Sequence, residues 1–128
     1  MDAQQLRTQC LALAGAFEDF PFGPETAVFK VRAADGKAKM FALSSLDERA
    51  LSVSLKCEPD LAVQLRAAHP EVTGAYHLNK KHWNGVVCNG ALQEGMIADM
   101  IEDSYDLVVA SLPRRDREIL GWKRLAQE

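Results

Sequence analysis

Between Leu51 and Lys56 the chain reads LSVSLK, with Leu51, Val53 and Leu55 alternating against Ser52, Ser54 and Lys56. A strict period of two belongs to an extended strand and not to a helix. One side of this strand is wholly apolar and the other wholly polar. A sheet built from such strands is covered on one face, and one-sided sheets are antiparallel. The neighbouring segments fit the same frame. Val28 to Arg32 (VFKVR) alternates Phe29 and Val31 against Lys30 and Arg32, Asp35-Gly36 is a hairpin signal, and Lys39 to Leu43 (KMFAL) is the return strand. Tyr76 to Leu78 and Gly85 to Cys88 read as a second hairpin, tipped by Asn79, Lys80 and Lys81. Asn84-Gly85 and Asn89-Gly90 read as turns.

Helices fill the intervals. Asp2 is a good N-cap, and Leu6, Cys10, Leu13 and Phe17 recur at helical spacing behind it. Gly15 and FPFG (Phe20 to Gly23) then break regular structure. Glu58-Pro59 opens a second helix with an apolar stripe of Leu61, Leu65 and Ala68, which ends at His69-Pro70. A third helix runs from about Gln93 to Ser111 over Ile97, Ile101, Tyr105, Val108 and Leu112; Pro113 stops it, and PRRDREIL starts a short terminal helix. Strands grouped in runs between helices predict an α+β fold of two layers. Its expected form is an antiparallel five-stranded sheet with helices on one face, in the order helix, three strands, helix, two strands, helix.

At 128 residues the whole chain, 1–128, reads as one domain. Cys10, Cys57 and Cys88 form no CxxC pair, which points to a reducing compartment and thiols that act as small hydrophobes. No apolar run reaches the roughly 20 residues of a membrane span, and MDAQQLRTQC lacks a basic leader, so the expected location is the cytoplasm, with no membrane partner. The net charge of −3 gives no global attraction to nucleic acid, yet its distribution is uneven. Lys30 to Lys81 holds nine bases and six acids, whereas Asn89 to Ser111 holds five acids and no base. Such asymmetry aims a basic surface one way and an acidic helix another.

The candidate chemistry gathers in YHLNKKHWN, Tyr76 to Asn84. Lys80, Lys81 and His82 beside Trp83 place cations and an aromatic on one ribbon tip, suited to a phosphate backbone, and Lys56 on the polar strand face extends that patch. Solvated turn lysines and an edge tryptophan are the commoner occupants of such a position. His69, His77 and His82 lack metal spacing, and His77 with His82 leaves a zinc site short of ligands. Cys57 follows Lys56 at a helix start, where a thiol pKa can fall, but no base is near it in sequence. Asp99, Glu102, Asp103 and Asp106 share a helix face that could collect divalent cations and is more commonly the wet side of an amphipathic helix. No P-loop, GxGxxG, GxSxG or paired metal motif is present, so no cofactor is expected.

VSLKCEP (Val53 to Pro59), HLNKKHW (His77 to Trp83) and SYDLVVASLP (Ser104 to Pro113), with the FKV and MFAL strands, resemble the MmcQ/YjbR family of small bacterial proteins over nearly the whole chain. The resemblance implies a helix–β3–helix–β2–helix fold, compared with frataxin-like (CyaY-like) and secretion-chaperone-like folds. It also implies the DNA-binding label that the family carries through likeness to a double-wing motif. It supplies no catalytic residues. On the matching positions, Tyr105 and Pro113 read as structural and Ser104 as a helix–sheet contact. Lys56, His82 and Trp83 are residues a core does not need. The leading expectation is a non-enzymatic DNA-binding module using Lys56, Lys80, Lys81, His82 and Trp83. The alternatives are a protein-interaction module that pairs with a partner or with itself, and small-ligand binding at a Lys, His and Trp pocket.

Overall fold

In the computed structural model, residues 1–32, 36–76 and 78–121 are described. The first helix, α1, spans Ala3–Leu11. Its start is a reciprocal cap: Asp2 Oδ1 accepts from the Gln5 amide at 2.8 Å, and Gln5 Oε1 accepts from the Asp2 amide at 2.8 Å. Leu6 and Cys10 point into the core as the spacing predicts. The helix then stops short of the predicted stripe. Gly15, at φ +73°, turns the chain, and Ala16–Asp19 forms strand β1, so that Phe17 lies in the sheet and not on the helix. This strand raises the count from the expected five to six among the described residues.

Strands β2 (Ala27–Arg32), β3 (Ala38–Ser44) and β4 (Ser52–Lys56) follow, close to their predicted bounds. The Asp35 turn signal lies outside the described residues. The β2–β3 register slips between Phe29 and Lys30: Phe29 faces Ala42 while Lys30 faces Met40. Phe41 is thus the extra residue of a bulge, which accounts for two successive buried positions, Phe41 and Ala42, in a strand lacking clean alternation.

Helix α2 (Pro59–Ala68) is capped by the Glu58 carboxylate, which accepts from the amides of Asp60 and Leu61, and it ends at His69. Its buried residue is Ala62, and the predicted Leu61 is 37% exposed, because the helix meets the sheet one position further round. Strand β5 is Val72–Gly74 and β6 is Trp83–Val87. The predicted Tyr76–Leu78 strand is not formed; β5 lies upstream of it, and His77 is outside the described residues. Asn84-Gly85, read as a turn, lies inside β6, while Gly90 at φ +91° does turn the chain. Helix α3 (Glu94–Ala110) and the short α4 (Arg114–Ile119) complete the order.

The six strands form one antiparallel sheet in the order β1-β2-β3-β4-β6-β5. Helix α3 packs on β3 and β4, α1 on β1 and α3, and α2 on β5 and β6. The core fills the space between sheet and helices: Phe29, Val31, Phe41, Val53, Leu55 and Val86 meet Leu6, Ile97, Ile101, Tyr105 and Val109. Phe41 and Tyr105 stack edge to face, with centroids 5.5 Å apart and planes at 87°. Tyr105 hydroxyl donates to the Ala14 carbonyl at 2.6 Å, tying α3 to the α1–β1 connection. No helix among the described residues is long and apolar enough to cross a membrane.

Candidate functional site

Strand β4 alternates as its sequence requires, with Val53 and Leu55 buried against the helices and Ser52 exposed. Ser52, Ser54 and Lys56 therefore point to the face that the helices leave open. On β6, Asn84 and Val86 are buried inward, which puts Trp83, Gly85 and Val87 on that same open face. The register sets Lys56 directly opposite Trp83 and Ser54 opposite Gly85. Opposed residues of an antiparallel pair have Cβ atoms about 5 Å apart, so the ammonium stem and the indole are neighbours.

Beyond Trp83 the chain is shaped by Asn79. Its Oδ1 accepts from the Lys81 amide at 3.0 Å, and its carbonyl accepts from the amides of His82 at 3.1 Å and Trp83 at 2.9 Å. This compact turn leaves Lys80 and Lys81 exposed and His82 half-buried. The Cys57 amide donates to the His82 carbonyl at 2.7 Å, which extends the β4–β6 pairing to the root of the turn. A second anchor was not among the sequence-based expectations. Arg66 Nη1 of α2 donates to the Lys80 carbonyl at 3.0 Å and to Asn84 Oδ1 at 2.7 Å, and Asn84 Nδ2 donates to the Ala62 carbonyl at 3.4 Å. Lys80 also lays its aliphatic stem over Gly74 of β5: a Cβ added there would come within 2.9 Å of Lys80 Cγ. The sequence signals that point to these anchors are an arginine on a helix whose apolar stripe is weak and a strand asparagine where an apolar residue is expected.

Lys56 is held from the opposite side. Its backbone amide donates to Ser104 Oγ at 2.9 Å, and the same hydroxyl donates to the Phe41 carbonyl at 2.6 Å. Ser104 is fully buried in α3, so one hydroxyl joins that helix to two strands, as the helix–sheet reading of this serine expects.

The five predicted residues thus divide by place and not by chain distance. Lys56 and Trp83 form a cross-strand pair, His82 joins them through its carbonyl, and Lys80 and Lys81 form the exposed end of the turn. Cys57 is a buried packing thiol, as expected of the cysteines of this chain. Burial, then the negative charges of Asp103 and Glu58, push its thiol up to about 11, so it is a protonated packing residue at neutral pH. The Glu58 carboxylate already caps the α2 amides that would have stabilised a thiolate. On α3, Asp106 is buried, so the acidic ridge is not uniformly wet; burial, then Asp99, holds the Glu102 carboxyl above its ordinary value. No group of three His, Cys, Asp or Glu residues able to hold a metal ion occurs among the described residues. The acids of α3 lie in the helix layer, where Asp103 lines a small cavity together with Leu55, Lys56 and Cys57.

A model of the YjbR family matches residues 11–107. The chain is 36% identical to the uncharacterised protein YbdF of Escherichia coli O157:H7, over 92% of this chain and 96% of that one. It is 32% identical to the uncharacterised protein YjbR of Escherichia coli K12, over 94% and 98% of the respective chains. Among solved structures, a Deinococcus radiodurans protein superposes with a TM-score of 0.88 at 36% identity, over 96% of this chain and 90% of that one. A Pseudomonas syringae protein superposes at 0.70 and 32% identity, over 84% and 98%.

Proposed function

This chain belongs to the YjbR family, and on that premise we propose that it is a non-enzymatic DNA-binding module. Its contact surface is the open sheet face at Lys56 and Trp83 together with the turn of Lys80, Lys81 and His82. The observation that carries this reading is the register of Lys56 against Trp83 on the face without helices. A cation and an aromatic ring fixed side by side on a rigid ladder offer a phosphate contact and a base-stacking surface at once. The turn adds two exposed ammonium groups, and its backbone is clamped by Asn79 and Arg66, so little ordering entropy is lost when it meets a ligand.

The negative total charge is compatible with this reading because of where the charges sit. Five acids lie between Asn89 and Ser111, in the region of α3 on the helix side of the sheet; Lys56 stands on the open face, and the turn of Lys80 and Lys81 stands at the sheet border, where the Lys80 stem crosses Gly74. Local potential, not net charge, steers a polyanion to a patch. The test is fluorescence anisotropy with labelled DNA over a series of salt concentrations. Binding should weaken linearly in log–log form, and Lys80→Ala with Lys81→Ala should lower the slope by about one unit for each phosphate contact removed. Absence of binding at low salt for both duplex and single strand would refute the proposal.

A further inference from the structure

We infer that the DNA recognised by this face is single-stranded, with bases lodged in a groove beside the Lys56–Trp83 pair, a refinement that rests on the DNA-binding reading above. The groove has a volume of about 510 Å³, in the range of sites that take a flat organic ring. Its floor is Leu43 of β3 and Ser54 of β4, neighbours in register across the open face. Its walls are Phe22 from the β1–β2 connection and Tyr76 and Leu78 from the β5–β6 connection. Phe22 and Tyr76 are 71% and 81% exposed, large values for aromatic rings that border one concavity.

Three features select a single strand. The first is the pair of aromatic walls, Phe22 and Tyr76: they accept the π-face of a base, and a duplex keeps those faces stacked inside. The second is the serine and threonine lining, Thr26, Ser52 and Ser54, whose hydroxyls both donate and accept and so tolerate any base edge. The third is charge continuity. Ser54 and Lys56 stand two residues apart on one face of β4, about 7 Å along the strand. Leu78 on the groove wall directly precedes Asn79, which builds the turn that carries Lys80 and Lys81. A base in the groove therefore leaves its backbone on the side where the Lys56 ammonium stands.

The experiment compares three labelled probes of equal length at low salt: an oligothymidylate single strand, a duplex, and an abasic single strand with the same backbone. Each is titrated with the native chain, Tyr76→Ala and Tyr76→Phe. The single strand should bind at least about fivefold tighter than either other probe, Tyr76→Ala should abolish that preference without changing the abasic affinity, and Tyr76→Phe should restore it. Tyr76 is 81% exposed, and thermal melting of each variant separates loss of folding from loss of stacking. Equal binding of all three probes, or a preference that survives Tyr76→Ala, overturns the groove assignment and leaves the DNA reading standing. No binding of any probe overturns both. A homodimer by light scattering that Tyr76→Ala dissociates gives the groove to a second copy of the chain and also overturns the assignment.

Discussion

Replacing Ser104 by alanine removes one oxygen and disconnects three elements. In the native chain that hydroxyl donates to the buried Phe41 carbonyl at 2.6 Å and accepts from the Lys56 amide at 2.9 Å. It does so where the regular β3–β4 register consists of two residue pairs, Ala42 with Leu55 and Leu43 with Ser54. Alanine cannot replace either bond, and the site is fully buried, so water is not at hand to satisfy the carbonyl. An orphaned buried group costs about 1–3 kcal/mol, and the Lys56 amide, being only partly buried, falls at the lower end, so the expected loss is about 2–4 kcal/mol. With a urea slope near 2 kcal/mol/M, the unfolding midpoint followed by circular dichroism should fall by roughly 1–2 M. Ser111→Ala is the control, because Ser111 Oγ also donates to a backbone carbonyl, that of Val108, and accepts from Lys39 Nζ at 3.0 Å, but at an exposed helix end. It should cost under about 0.5 kcal/mol. If Ser104→Ala shifts the midpoint no more than Ser111→Ala does, the two bonds carry no net stability and the account of this junction is wrong.

Two further perturbations probe the site and the core. Arg66→Ala removes the donor that holds the Lys80 carbonyl and Asn84, and should destabilise the chain by about 1–2 kcal/mol while raising amide exchange from Lys80 to Trp83 selectively; uniform exchange along the chain would contradict the clamp. The Cys10 thiol is pushed up from 9.0 to about 12, by burial first and then by Glu18 and Cys88. The folded chain therefore keeps a proton that the unfolded chain releases. Stability from this group is complete below pH 9.0 and declines as pH rises from there toward about 12. The limiting slope is about 1.4 kcal/mol per pH unit. Urea midpoints between neutral and alkaline pH should fall less steeply in Cys10→Ala, and parallel profiles would refute the assignment.

The sheet and its one-sided covering were legible because alternation in β4 and β2 is a local property of the chain. Strand β1 was not legible: AFED carries two acids in four residues, and Phe17 happens to continue the helical spacing of Leu6, Cys10 and Leu13. Only pairing with β2 makes it a strand, with Lys30 reaching Asp19 at 2.9 Å and Arg32 lying 4.5 Å above the Phe17 ring. Strand β5 was misplaced for the same reason, since three residues, VTG, hold no period and gain their form from β6. On the candidate site, residue types were readable and geometry was not. The Lys56–Trp83 pairing requires a register, and the Asn84-Gly85 turn signal was overridden by the hydrogen bonds of Asn84 to α2.

The stem of Lys80 lying across Gly74 has a consequence for the behaviour of the chain in concentrated solution. Strand β5 is the outer strand at one end of the sheet, and a bare outer strand is a template for another chain. Here that strand is only three residues long and its glycine is roofed by a charged side chain. At the other end, β1 carries Glu18 and Asp19. Both borders of the ladder are thus guarded against recruiting a neighbour into a growing ribbon, and at the β5 border a single lysine stem works against edge-to-edge polymerisation.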